Sequence, residues 1–485
     1  MRARAILYLG AVFFVACCSL IVAGTGHTKI SAATGPPTPS PVIPFVVPGQ
    51  QGSRDPSDFY AFSWSEFMAL NWPAKVAPGQ PPMRGVADPG VTIGAPGPRV
   101  WETWKSDFEL FPNQPNGPSS IVQPTAWSSW DQPEPICDET GNVTSAGTKV
   151  LPLVAKGTSV IPGGVNQAMA GPLVDQHLQY VRYEIRINQA EYEDVKNKQW
   201  FLRKNLTSYP QPPNLLPSSS PGKYGAIEIK AAWRILTDAE ANANPKRFYT
   251  SSAWVVDPKN PGHCTKAVVG LVGLHIAHKT AEFAGWVWST FEQVDNVPAP
   301  GVSPPPQGYS FSSPSPGPAP PFGFAPPTAW KPVPPASLPP KPTVATKVWR
   351  INPIPPEAVT LNTAVHALPG ISGTVWQFYE LVDAQWQTAF PTIKVSNPTT
   401  REDLYGQLNA FPTDAVANVT METYFQGRTA GDATNPLRVS SFGTSCLHCH
   451  FAAAQCDFSW VMADQAWPAN AAASSRPRIA VKGCL

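Results

Sequence analysis

Charge is what this 485-residue chain has least of: Asp, Glu, Lys and Arg make up 14 % of it, and the formal net charge is +2. Arg2 and Arg4 contribute to that small excess, and no basic stripe follows them. Nucleic-acid binding needs a positive footprint to neutralise phosphates, so nucleic acid is excluded as a partner. Beyond residue 24 no apolar run is long enough to span a bilayer, which confines any membrane contact to the N-terminus. No internal repeat is present, which excludes solenoids and propellers. A second Cys-x-x-Cys pair is also missing, and that absence decides a question of chemistry below.

Apolar residues are plentiful at 42 %, with 17 Trp and 59 Pro. A chain of this length and composition buries one large core or two ordinary ones. Its start, Met1-Arg2-Ala3-Arg4, is followed by an unbroken apolar run from Ala5 to Gly24. That order of charge and apolarity is a secretory signal peptide, assigned to residues 1–33, with small residues for cleavage after Gly24 or Ala33. Left uncleaved, the run would serve as an anchor; lipid attachment at Cys17 or Cys18 is the poorer option, because FVAC is a weak lipobox. The expected location is therefore periplasmic or secreted. Removing the signal leaves Cys137, Cys264, Cys446, Cys449, Cys456 and Cys484 in an oxidising compartment.

The fold class expected is α+β, a strand-rich body with a C-terminal helical segment. Residues 34–54 read as a Pro-rich linker and 55–296 as the body. Residues 297–345 read as a surface insertion or spacer, since 18 of the 45 positions from 298 to 342 are proline. Residues 346–485 form a C-terminal part packed on the body. Strands are expected at 179–188, 267–277 and 286–294 from alternation and β-branching. Helices are expected at 58–72, capped by Asp58, at 420–427, ending on Gly427, and at 451–467, stopping before Pro468.

Near the C-terminus stands Cys446-Leu447-His448-Cys449-His450. A structural zinc site needs four ligands, and with no second pair His448 and His450 are too local to complete one. A redox dithiol has no use for the histidine that follows, and no βαβ pattern surrounds it. Covalent haem uses every element: two thiols add to two vinyl groups and the next imidazole binds the iron. With eight Cys and eight His in the chain, chance would supply CxxCH only roughly 0.002 times.

The motif resembles that of the c-type cytochromes, over five residues. The resemblance implies one covalent haem c, held by Cys446 and Cys449, with His450 as proximal iron ligand. The small cytochrome domains carry this motif near their N-terminus and a ligating Met well downstream. Here 35 residues follow His450, and Met462 is the sole Met among them. The haem peptide is thus expected to close the fold of the larger body. The chain also looks like a group of uncharacterised secreted bacterial mono-haem proteins, through FMALNWPA, VWETWK, IEIKAAWRIL, GLVGLHIAHKT, WVWSTFEQVDNVP and TMETYFQ; that group implies no particular activity.

The sixth ligand is expected from the body upstream. A strand through GLVGLHIAHK puts Gly273, His275 and Ala277 on one face and Leu274, Ile276 and His278 on the other. Small neighbours favour His275 as distal ligand, with His278 and Met421 as rivals; His177 and His366 lie in ordinary surroundings. Glu292, Asp295 and Asn296 lack the regular spacing of a calcium loop. The Trp residues, Trp233, Trp286, Trp288 and Trp376 among them, read as core before relay. Cys456 is expected to pair with Cys484 and Cys137 with Cys264, though four cysteines allow three connectivities. The function expected is electron transfer to a redox partner protein. The alternatives are a peroxidase-like haem oxidoreductase with an open distal site and a haem-based binding or sensor module.

Overall fold

A computed structural model describes residues 35–48, 55–112, 119–130, 170–206, 216–257, 263–313 except 284, 341–387, 416–426, 445–450 and 456–467, with short pieces and single positions between them. The expected signal, residues 1–33, and Cys484 lie outside the described residues. Among the described residues no helix is long and apolar enough to cross a membrane.

The chain is α+β, built on one eight-stranded sheet. Its strands are β1 (Lys105–Ser106), β2 (Arg182–Ile187), β3 (Ile227–Ile235), β4 (Thr250–Val256), β5 (Cys264–His278), β6 (Val287–Gln293), β7 (Tyr379–Gln387) and β8 (Ala410–Phe411). They run in the order β8-β7-β6-β5-β3-β2-β1, and β4 pairs with the first half of β5. All of these pairings are antiparallel. The three strands expected from alternation thus exist as β2, β5 and β6. β7, which follows the Pro-rich stretch, lies beside β6, so the segments before and after that stretch share one sheet.

Helix α1 (Pro56–Leu70) covers one face. Phe59, Phe62, Trp64, Phe67, Met68 and Leu70 are all fully buried, as a helix apolar on nearly every side must be. Its cap is Asp55, whose carboxylate accepts from Ser57 N at 3.0 Å, and Pro56 opens the helix. Asp58, the expected cap, sits instead in the first turn, because proline needs no N–H donor at the first helical position. Trp64 packs edge-on to Phe291 of β6, and its Nε1 donates to Asn362 of α3 (Pro356–His366) at 2.9 Å.

The opposite face carries the C-terminal segments. Residues 451–467 do not form one helix. Cys446–His450 make α4 and Trp460–Gln465 make α5. Between them Asp457 and Phe458 take φ of 57° and 64°, a left-handed pair that ends helical propagation. The expected helix at 420–427 is a single 3₁₀ turn, Thr423–Phe425, and Gly427 lies outside the described residues.

Neither Pro-rich stretch is a bare spacer where it is described. Ile43 joins the main core, and Phe45 stacks on Tyr224 with ring centroids 4.6 Å apart. Phe311 is fully buried, and its N–H donates to Asn296 O at 3.0 Å. Apolar residues between prolines anchor these segments, and burial of such side chains outweighs the missing ladder bonds.

Candidate functional site

Register orders the face beneath the C-terminal segments into rows. Ala277 lies opposite Glu228 and Trp288, and Trp288 opposite Gln385. Two residues along, His275 lies opposite Lys230 and Thr290, and the next row holds Gly273, Ala232 and Glu292. Successive alternate residues share a face. The division read from GLVGLHIAHK therefore holds: Gly273, His275 and Ala277 face the C-terminal segments, while His278 faces α1.

Helix α4 sits over the first row. Leu447 is fully buried, and its N–H donates to Gln385 Oε1 at 2.8 Å. The His450 ring lies 4.1 Å, centroid to centroid, from Trp288. Its Nδ1 is 2.7 Å from the Phe458 carbonyl. A carbonyl only accepts, so Nδ1 carries the hydrogen and Nε2 of the neutral ring carries the lone pair. A backbone carbonyl bound to the far nitrogen is the usual way a ligating histidine is oriented. Cys446 and Cys449 are reduced, partly exposed thiols, whereas Cys264 and Cys456 are disulfide-bonded. The pairings expected, Cys137–Cys264 and Cys456–Cys484, involve side chains outside the described ones. One helical turn thus presents two thiols and a histidine held by its Nδ1, the donor set that a covalent haem requires. The residues fit that group. Among the described residues no three or more His, Cys, Asp and Glu side chains are arranged to hold a bare metal ion.

Of the distal candidates, His275 lies one row from Ala277 on this same face. Its side chain is 16 % exposed, and Nε2 donates to Glu422 Oε1 at 3.0 Å. The room expected over Gly273 is occupied: a Cβ there would collide with Thr420 Oγ1 and stand 3.3 Å from Met421 Cε. His275 instead meets the 418–422 segment through Glu422. His278 is fully buried on the other face, its Nδ1 2.6 Å from Glu66 Oε1 and its Nε2 2.6 Å from Ser219 Oγ. That places it in the α1 layer, on the face opposite α4. Met421 and Met462 are both fully buried core residues, Met421 with Val272, Phe311 and Val419. Glu292 and Asp295 pair with Arg350 and Arg247, which accounts for them without calcium.

Reading the sequence alone missed the buried charge around this segment. Lys279 and Asp457 form a fully buried ion pair, and Ser459 Oγ donates to Glu228. Asp464 on α5 and Asp107 beside β1 are both pushed up to about 7, chiefly by burial, with Lys230 opposing in each case. Only the K in HKT and the D in CDF signalled the ion pair, and nothing in their spacing of 178 residues linked them.

The two raised aspartates predict a pH dependence of stability. Their folded values lie above the unfolded value of about 3.9, so the folded state binds protons more tightly. Their contribution is fully present below about pH 4 and is lost as pH rises through about 7. Asp464→Asn should therefore lose less stability than the parent between pH 5 and pH 8 in urea titrations. An equal loss in both proteins would count against the shift.

No protein-family model, curated protein or solved structure matches this chain.

Proposed function

We propose that this chain is an exported mono-haem c-type cytochrome acting in electron transfer. Its C-terminal helical segment would bind haem c through Cys446 and Cys449, with His450 as proximal ligand and His275 as distal ligand. The observation that carries the reading is the His450 hydrogen bond: Nδ1–H is given to the Phe458 carbonyl, beside two reduced cysteines in the same helical turn. When bound, haem supplies a one-electron iron couple whose potential is set by ligands, burial and hydrogen bonds.

The chain's own residues then have definite roles. The Phe458 carbonyl fixes the His450 ring and raises its basicity. Trp288 walls one side of that ring and Leu447 seals α4 to the sheet, which limits water at the proximal side. Export and a periplasmic or secreted location belong to the same proposal, since c-type haem is attached outside the cytoplasm. A redox partner protein is its natural complement.

A second reading, a haem-dependent oxidoreductase of peroxidase type, draws on one observation. His275 is partly exposed and tied to a carboxylate, the arrangement of a general acid–base pair. Rapid binding of cyanide or peroxide to the ferric protein favours that reading; indifference to both favours electron transfer.

The test is covalent attachment. Protein matured with a haem c assembly system should gain the mass of one haem that resists acid-acetone extraction. Cys446→Ala together with Cys449→Ala should lose it entirely. Covalent haem retained in the double variant would sink the assignment.

A further inference from the structure

The glutamate of VWETWK has no part in the haem reading. Glu102 sits in the 3₁₀ turn Trp101–Thr103, 4 % exposed, and its Oε2 accepts from Arg99 N at 2.7 Å. A capping oxygen usually serves its own turn alone, as Asn188 Oδ1 does for α2 (Gln189–Asn197) by accepting from Glu191 N at 3.1 Å. Glu102 Oε2 also accepts from the phenol of Tyr249, 147 residues along the chain. Tyr249 is fixed in turn: its N–H donates to Tyr379 Oη and its carbonyl accepts from Leu271 N, each at 2.9 Å. Its ring stacks on Trp376 with centroids 5.1 Å apart. Tertiary structure therefore holds the carboxylate as firmly as its own turn does.

Glu102 and Tyr249 are the buried part of the lining of a cavity of about 340 Å³. The first three residues of β4, Thr250, Ser251 and Ser252, line its more open part. None of their three hydroxyls has a hydrogen-bond partner among the described residues. Among those residues β4 also pairs with β5 alone, so its outer edge turns alternate backbone N–H and C=O groups away from the ladder. Gly97, across the cavity, takes φ of 125°, and a Cβ there would meet nothing within 4 Å. That wall is bare backbone with space beside it.

The lining selects a chemistry. No Lys, Arg or His lines the cavity, so an anion such as phosphate finds no counter-charge in it. The Arg99 guanidinium lies behind Tyr249, 5.0 Å from its ring centre, and donates to the carbonyls of Asn71, Ile93 and Ala95. Its fixed positive charge disfavours an ammonium beside Glu102. An apolar molecule would take three hydroxyls and a strand edge out of water and return no hydrogen bond. A molecule with several O–H groups meets every requirement. Its hydroxyls donate to the carboxylate and to the phenol oxygen, and both donate to and accept from serine and threonine. The volume is at the small end for ligand sites, enough for a single sugar ring.

We propose that this cavity binds a neutral polyhydroxyl molecule of single-sugar size, gripped by the Glu102 carboxylate at its buried end and by Thr250, Ser251 and Ser252 at its mouth. The proposal is independent of the haem reading, and its test needs no haem signal.

Ligand-observed NMR on the full chain, with D-glucose, D-galactose, D-mannose and myo-inositol as probes, tests it. At least one probe should bind saturably with a dissociation constant of about 1 mM, the strength open to a ligand of roughly a dozen heavy atoms. Ser252→Trp, at an exposed position on the mouth, should fill the cavity and weaken binding at least tenfold while leaving the thermal midpoint unchanged. Glu102→Gln should weaken binding about tenfold through loss of a charged acceptor. No binding of any probe at about 50 mM overturns the proposal, and so does binding that Ser252→Trp leaves unchanged. Tighter binding of inorganic phosphate or of ethylammonium than of all four probes overturns it as well, because the ligand class is then wrong.

Discussion

Lys279→Met should cost the folded protein about 3–5 kcal/mol, the penalty for leaving one member of a buried ion pair without its partner. Lys279 Nζ binds Asp457 Oδ2, and both side chains are fully buried. Burial is the first influence on each group, lowering the lysine pKa and raising the aspartate, and each partner opposes the shift in the other. With the ammonium gone, the Asp457 carboxylate keeps Leu216 N–H at 2.8 Å, one donor against the desolvation of a full charge. Urea unfolding should show a lower midpoint with an unchanged slope, the mark of lost stability without a changed denatured state. Lys279→Met with Asp457→Asn should recover most of the loss, because no uncompensated charge remains in the interior. A single-variant loss below about 1 kcal/mol would place the pair in effective contact with water and refute its buried role.

The same ion pair shows where sequence reading stops. The strands β2, β5 and β6 were legible because alternation and β-branching report burial locally, and α1 because its apolar residues recur over fifteen positions. The face assignment of His275 against His278 was legible too, since strand parity is fixed once a strand exists. Cys446, Cys449 and His450 stood out because their chemistry needs fixed spacing. The break at Asp457–Phe458 was not legible: Ala-rich FAAAQ reads as helix, and the left-handed pair is held by tertiary bonds. Asp457 Oδ2 is held by Lys279, and its carbonyl accepts from Trp286 Nε1 at 2.8 Å. Nor was the filling of the space beside Gly273 by Thr420 legible, because it joins residues nearly 150 positions apart. Long-range polar pairing leaves no periodicity, and it is what shapes the candidate site.

His275→Ala should convert the ferric spectrum of the proposed holoprotein from low-spin to high-spin, and of the distal candidates it should be alone in doing so. His275 shares the α4 face of the sheet, lies one row from the Ala277–Trp288 pair, and is the partly open residue in a stretch otherwise buried from Val269 to Thr280. Nε2–H is given to Glu422, so the neutral ring carries its lone pair on Nδ1. A ligand whose other nitrogen donates to a carboxylate is more basic than one bound to a carbonyl, and a stronger donor favours the ferric state. His275 with His450 would thus hold the iron low-spin at a lower potential than a His/Met pair. Glu422→Gln should raise that potential while keeping the low-spin spectrum. His278→Ala should leave the spectrum unchanged and reduce stability instead, since Glu66 would remain fully buried without its imidazole. Met421→Ala should behave likewise through a cavity among Val272, Phe311 and Val419. A low-spin spectrum that persists in His275→Ala removes His275 from the iron. A parent protein already high-spin leaves the sixth position open, and the His275–Glu422 pair then serves the oxidoreductase reading as its acid–base group.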